Sequence, residues 1–101
     1  MKVEIRASAQ DDLRDAADFY DEQAAGLGDE VLVFLYSVIA QLSLTGGNHR
    51  KVRHFHRMVV LGRFPYYVVY YQMQGDTVIV NSVLDHRRDP KWIRRTLRDR
   101  S

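Results

Sequence analysis

The chain is 101 residues long, 46% apolar and 28% charged, with no cysteine. That length fits one domain, 1–101, around a single modest core. The lack of cysteine excludes disulfides and thiolate metal sites and is what a cytoplasmic protein is expected to show. The longest apolar runs, such as 31–36 and 58–61, are far below the roughly 20 residues of a membrane span, and no basic-then-apolar leader opens the chain, so a soluble, unprocessed protein is expected.

The net charge of +2 conceals a segregation along the chain. Residues 1–30 carry three Lys/Arg against nine Asp/Glu, residues 31–75 five against none, and residues 76–101 seven against four. If the later blocks share a face, that face attracts phosphates or acidic peptides in a salt-sensitive way; otherwise the arginines are a solvated surface.

In chain order, Val3 and Ile5 alternate with Lys2, Glu4 and Arg6, which predicts a short strand with one buried face. Ser8 has the character of a helix N-cap with Asp11 in the first turn, and Leu13, Ala16, Ala17, Tyr20 and Ala24 recur at helical spacing. Gly26-Leu27-Gly28 breaks that helix. A second follows through Leu27, Val31, Leu35, Val38, Ile39 and Leu42 and ends at Gly46-Gly47-Asn48, so the two helices are expected to pack antiparallel. After a basic segment over 50–57, strands are predicted at 58–61, 66–73 and 77–84, the last two joined through Gln74-Gly75-Asp76 as a hairpin. Asp89-Pro90 then supplies a cap and a first-turn proline for a short basic helix carrying Trp92, Ile93 and Leu97.

The order βααβββα predicts an α+β two-layer sandwich: a helical hairpin packed on a mainly antiparallel sheet of about four strands, with a short C-terminal helix. Val68, Tyr70 and Gln72 alternate with Tyr67, Val69 and Tyr71, so both sheet faces are apolar or aromatic. One face is left open, either to a partner or to the last helix folding back over it.

The sharper candidates each have a structural counterpart. His54 and His56 alternate and could bind a metal with His49 or His86, but no carboxylate lies nearby in sequence, so no metal is expected and the histidines are read as surface groups. The strand tyrosines are chiefly core and partner groups rather than base-stacking platforms. Asp85, Asp89 and Arg88 can pair to hold the strand-to-helix corner, and Trp92 can anchor the last helix. Asp11, Asp15, Asp18 and Asp21 look like a solvated helix face.

Taken in order, Asp12-Leu13 and Tyr20 in an acidic first helix, the Gly26-Leu27-Gly28 turn, Arg63-Phe64-Pro65-Tyr66 entering a strand, and His86-Arg87-Arg88-Asp89-Pro90 followed by Trp92 resemble the RelE/ParE superfamily of type II toxin-antitoxin toxins, over nearly the whole chain. The resemblance implies a small cytoplasmic toxin that inhibits growth until a cognate antitoxin wraps and neutralises it, and it requires no cofactor. It implies two alternative targets. ParE-like members inhibit DNA gyrase by binding, without chemistry, and this is the favoured alternative. RelE-like members are metal-independent mRNA endoribonucleases that act on the ribosome, attacking a phosphate with a ribose 2′-hydroxyl.

On the nuclease alternative the catalytic set is Arg63, His86 and Arg87. Two departures weigh against it. Tyr67 occupies the strand position where RelE itself has an arginine, and Trp92 falls near a catalytic tyrosine but cannot exchange a proton as tyrosine does. Arg53, Arg57, Arg88 and Trp92 are expected to bind the target, and Tyr67, Val69 and Tyr71 the antitoxin.

Overall fold

The structure is a computed structural model describing residues 1–101. Its elements run β1 (Lys2–Ile5), α1 (Ala7–Gln23), α2 (Leu27–Ala40), α3 (Leu42–Thr45), β2 (Lys51–Val52), β3 (Phe55–Val59), β4 (Tyr67–Gln74), β5 (Thr77–Asp85) and α4 (Pro90–Asp99). One five-stranded sheet has the order β1-β5-β4-β3-β2, with β1 parallel to β5 and every other pairing antiparallel. The α+β architecture with a helical hairpin on a mainly antiparallel sheet is therefore as predicted. A two-residue strand, β2, adds to the four expected.

The hairpin α1/α2 covers one sheet face. Leu13, Ala16, Val31, Leu35 and Ile39 meet Tyr67, Val69, Tyr71, Val78, Val80 and Val83 in a core of 16 buried residues. The two helices approach closely at their joint. A Cβ added at Gly28 would clash with the backbone carbonyl of Ala17, and the Gly28 amide donates to the Asp21 carboxylate at 2.7 Å, so an α1 side chain caps the start of α2.

The opposite face is not left open. α4 folds back over it, and Ile93 and Leu97 pack on Phe55, Val68, Tyr70 and Leu84 in a second core of 6 residues. The Asp89 carboxylate accepts from the Lys91 amide at 2.9 Å with Pro90 in the first turn, as the sequence predicts. Alternation in β4 identifies which residues share a face, but it does not say which face the hairpin takes.

Several local expectations are corrected. Helix α1 begins at Ala7, so Ser8 is not its cap; the Ser8 hydroxyl instead donates to the Asn81 carbonyl at 2.6 Å, a tertiary bond that outcompetes the local one. Asp11 then lies beyond the first turn and pairs with Arg14 at 3.1 Å. The second helix is interrupted at Gln41, leaving α3 as a separate turn. Together Leu27–Thr45 form a 19-residue stretch long and apolar enough to cross a membrane by length and composition, which the short-run count over 31–36 missed. Here one face of that stretch, including Val31, Leu35, Ile39 and Leu42, is in the core, while Val33 and Leu44 are 73% and 85% exposed.

The third expected strand is also displaced. β3 occupies 55–59 rather than 58–61, because Arg53-His54 form a turn that folds β2 onto Phe55 and His56. A polar-looking segment is therefore a β-ribbon.

The β4–β5 hairpin contains one irregularity that organises the molecule. Tyr70 pairs with Ser82 but Tyr71 with Val80, so Asn81 is an extra residue and β5 changes parity there. Val78 and Val80 point to the hairpin core before the bulge and Val83 after it. β1 ends opposite Val80, leaving β5 beyond it without a strand on that side, while β4 continues along the other. The Asp12 carboxylate takes that place, accepting from the Val83 amide at 2.9 Å and from Arg100 at 2.6 and 3.0 Å; Arg100 also donates to Ser82 Oγ at 2.8 Å. Arg100, at the end of α4, thus ties the second helical layer to α1 around the open sheet edge. Burial raises the Asp12 pKa against the lowering influence of Arg100 and the Val83 amide, so the pair fixes geometry more than it gains energy over water.

Candidate functional site

The parity rule within β3 and β4 places a row of side chains on the α4 face. Arg57 lies across from Tyr70, which lies across from Ser82. The Arg57 amide donates to the Arg50 carbonyl at 2.8 Å, extending the β2–β3 ladder by one step and setting Arg50 beside Arg57. At the end of β5 the His86 amide donates to the Tyr66 carbonyl at 2.8 Å, which continues the β4–β5 pairing and brings the imidazole over Tyr70. The rings stack at 5.8 Å and 22°, and the Tyr70 hydroxyl hydrogen-bonds His86 Nε2 at 2.6 Å.

These groups open into a cavity of about 560 Å³ between the β2–β3 ribbon and α4, whose charged lining is Arg50, Arg53, Arg57 and Arg94, with His86 and Tyr70 beside them. No carboxylate lines it. Burial, and after it the positive charge of Arg57, lowers the His86 pKa, so the imidazole is neutral near pH 7 and its Nε2 can accept the Tyr70 proton. Burial raises the Tyr70 pKa, keeping the hydroxyl protonated.

The proposed catalytic set does not assemble. Arg63 pairs with Glu30 at 2.8 Å and lies over the Phe64 ring, beside a separate groove bounded by α2. Arg87 reaches both Asp85 carboxylate oxygens, at 2.7 Å from Nη2 and 3.0 Å from Nε, and its guanidinium rests 4.1 Å above Tyr66. Burial opposes ionisation of Asp85, but the hydrogen bonds from Arg87 outweigh it and hold the carboxyl below its usual value. The corner is therefore held by the Asp85 side chain with Arg87, while Arg88 contributes its backbone amide, which donates to the Asp85 carbonyl at 3.2 Å. Of the three residues only His86 faces the arginine-walled cavity.

The expected target-binding residues divide as well. Arg53 and Arg57 line the basic cavity. Arg88 lies 3.6 Å over the Trp92 ring beside a second cavity, of about 310 Å³, that also contains Asp12, Asp15 and Asp85. Trp92 packs against the second core, as its structural reading predicts.

Tyr67, Val69 and Tyr71 are at most 3% exposed, sealed beneath the helical hairpin, so the folded chain does not present them to the expected antitoxin. On the other face α4 covers the strand except where Tyr70 lines the arginine-walled cavity. No group of three or more His, Cys, Asp or Glu side chains is arranged to hold a metal.

Arg50 and Arg94 join the site without having been singled out, and Tyr70, read from the sequence as a core and partner group, joins it as well. The β-ribbon beside Arg50 is invisible to apolar periodicity, and its turn residues Arg53-His54 carry no turn preference that would reveal it. Asp12 was legible too, since it sits on the apolar stripe of α1 between Ala9 and Ala16.

The family described as the ParE toxin of the type II toxin-antitoxin system, parDE, matches residues 3–90. A solved structure described as the chromosomal ParDE TA system from P. aeruginosa superposes with a TM-score of 0.72 at 12% identity, covering 82% of this chain and 92% of that one. At that identity the likeness shows the fold alone. A search of curated proteins finds no match. The family match spans the sheet and the helical hairpin and stops at the first residue of α4, and on it the chain belongs to the ParE toxin family within the RelE/ParE superfamily, as the toxin component of a type II toxin-antitoxin module with an antitoxin as its partner.

Proposed function

We propose that this toxin arrests growth in the cytoplasm by binding DNA gyrase, without catalysing a reaction of its own. The observation that carries this is the ParE family match over 3–90. It is supported by the dispersal of Arg63, His86 and Arg87 to different partners, which leaves no three-residue catalytic set. The target-facing surface is the basic side built by Arg53, Arg57 and Arg94. Induction in cells tests it: SOS induction and altered plasmid supercoiling, without cuts at codon positions in translated messages, are expected. Codon-position cuts without an SOS response would reject the proposal.

One feature favours the nuclease alternative. A neutral imidazole hydrogen-bonded to a phenol beside Arg57 is a combination able to accept a 2′-hydroxyl proton, return one to the leaving oxygen and steady charge on the phosphate. On that alternative His86→Ala abolishes cutting with the fold intact.

For the antitoxin, the exposed apolar strip of α2 and the loop after β3 replaces the buried strand residues. Val33 and Leu61 are 73% and 78% exposed, and Val33, Phe34 and Phe64 line the groove between them, beside Arg63. Hydrogen exchange in the complex should show protection over 33–37 and 59–64. Protection confined to other elements would reject this surface.

A further inference from the structure

We infer that the cavity between the β2–β3 ribbon and α4 binds a phosphate group, held by the arginines that line it, Arg50, Arg53, Arg57 and Arg94, beside the Tyr70–His86 pair. The inference rests on the proposed function only in placing the site on the target-facing side.

Three observations carry it. First, the charge is uncompensated. The five ion pairs of the protein engage Lys2, Arg14, Arg63, Arg87 and Arg100, and none involves the four arginines of this cavity. Second, the arrangement costs free energy that the bare protein does not recover. Arg50 and Arg57 sit side by side across the ribbon, a like-charge placement that destabilises a β-pair. Arg53 occupies the left-handed region at φ 60, a conformation that is strained for a residue with a Cβ. An oxyanion bound among them relieves the repulsion. Third, the floor is polar at one defined place. The Tyr70 hydroxyl and His86 imidazole, fixed by their mutual bond and by stacking, stand beside Arg57.

Arginines that line one cavity from a ribbon and from a helix suit a tetrahedral anion, which accepts from several directions at once. An acidic peptide is a poorer fit, since one planar carboxylate cannot satisfy donors on opposed walls. Two sources carry the same chemistry: a phosphodiester within a nucleic-acid strand, or a free phosphate monoester.

The test titrates the full-length toxin with inorganic phosphate, following the His86 imidazole by NMR and heat by calorimetry. Saturable binding is expected, with the His86 titration moving upward as the anion offsets Arg57; the charged and titratable groups around that ring are Arg57, Tyr70 and Asp85. Arg57→Gln or Arg94→Gln should weaken phosphate about tenfold, the loss of one charge-assisted contact. Arg95→Gln, which removes the same charge from an exposed neighbour on α4 outside the cavity, should change it less than twofold. Thermal melting of each variant verifies the fold. A single-stranded DNA oligonucleotide without terminal phosphates forms the second arm: competition assigns the backbone phosphodiester, and its failure beside intact phosphate binding assigns the free monoester. Absence of saturable binding, or an Arg95→Gln effect as large as that of Arg57→Gln, overturns the site whatever gyrase does. Intact phosphate binding in a toxin that spares gyrase removes only the gyrase proposal.

Discussion

Adjacent residues Tyr70 and Tyr71 point to opposite faces of the same sheet, and each hydroxyl bonds a histidine at 2.6 Å, yet the two settings differ in kind. Tyr71 faces the helical hairpin. Its hydroxyl bonds His49 Nδ1 and accepts from the Gly47 amide, His56 stacks on its ring at 4.9 Å, and the pair closes the end of the 16-residue core. Tyr70 faces α4, with a 6-residue core on one side and an arginine-walled cavity on the other. One histidine–tyrosine pair is a strut; the other is the floor of a site. The same local chemistry acquires a different role from what surrounds it, and the smaller core is the one that leaves room for function.

The contrast is broken most directly in the larger core. Leu35→Ala, at a fully buried position of α2, should cost about 4 kcal/mol in chemical denaturation, because the hairpin core has little freedom to collapse into the void. Asp12→Ala should cost about 3 kcal/mol, since it strands the Val83 amide and frees Arg100, and it should loosen α4 as well as α1. Asp12→Asn, which retains an acceptor for Val83, should lose less. Leu97→Ala should cost about 2 kcal/mol, with hydrogen exchange rising chiefly in α4 while the hairpin stays protected. An equal rise in both layers would contradict the independence of the two cores.

The two histidines carry the same contrast into the pH dependence of stability. Burial, aided by His56, lowers the His49 pKa, and burial with Arg57 lowers that of His86. Each unfolded-state imidazole therefore takes up a proton near 6.5 that its folded counterpart refuses. Stability is greatest above that value and falls as the pH drops through 6.5 toward the folded pKa values. The drop in melting temperature should shrink in both His49→Gln and His86→Gln, and only the latter should alter phosphate binding. Smallest of all is the Arg63–Glu30 pair. With both side chains more than half exposed, Glu30→Gln should change stability by no more than about 0.5 kcal/mol.

Much of the fold was legible where a local signal is strong. The alternation of Val3 and Ile5, the Gly26-Leu27-Gly28 turn, the Gly75-Asp76 turn and the Asp89-Pro90 start all have a chemistry that neighbouring residues cannot override. The misses share another origin. Ser8 is a good cap by type but was claimed by Asn81, 73 residues away. The β2–β3 ribbon carries arginines and histidines because half of it faces a cavity, so its pattern reads as loop. Assigning Tyr67, Val69 and Tyr71 to an open surface followed correct alternation to the wrong side, since period two leaves the choice of layer to the whole molecule. In the site, residue types were better guides than groupings. His86, Arg53 and Arg57 share one cavity, whereas Arg63 and Arg87 were already committed to Glu30 and Asp85, partners distant or adjacent that composition does not rank.

The brevity of β1 leaves a last consequence. Beyond Val80 the flank of β5 carries a carboxylate, Asp12, where a neighbouring main chain would have to donate and accept, and Arg100 bars the approach from the other layer. A newcomer polypeptide cannot run the full length of that margin without first evicting a buried charge. The toxin is thereby guarded on this border against edgewise self-association and fibre growth.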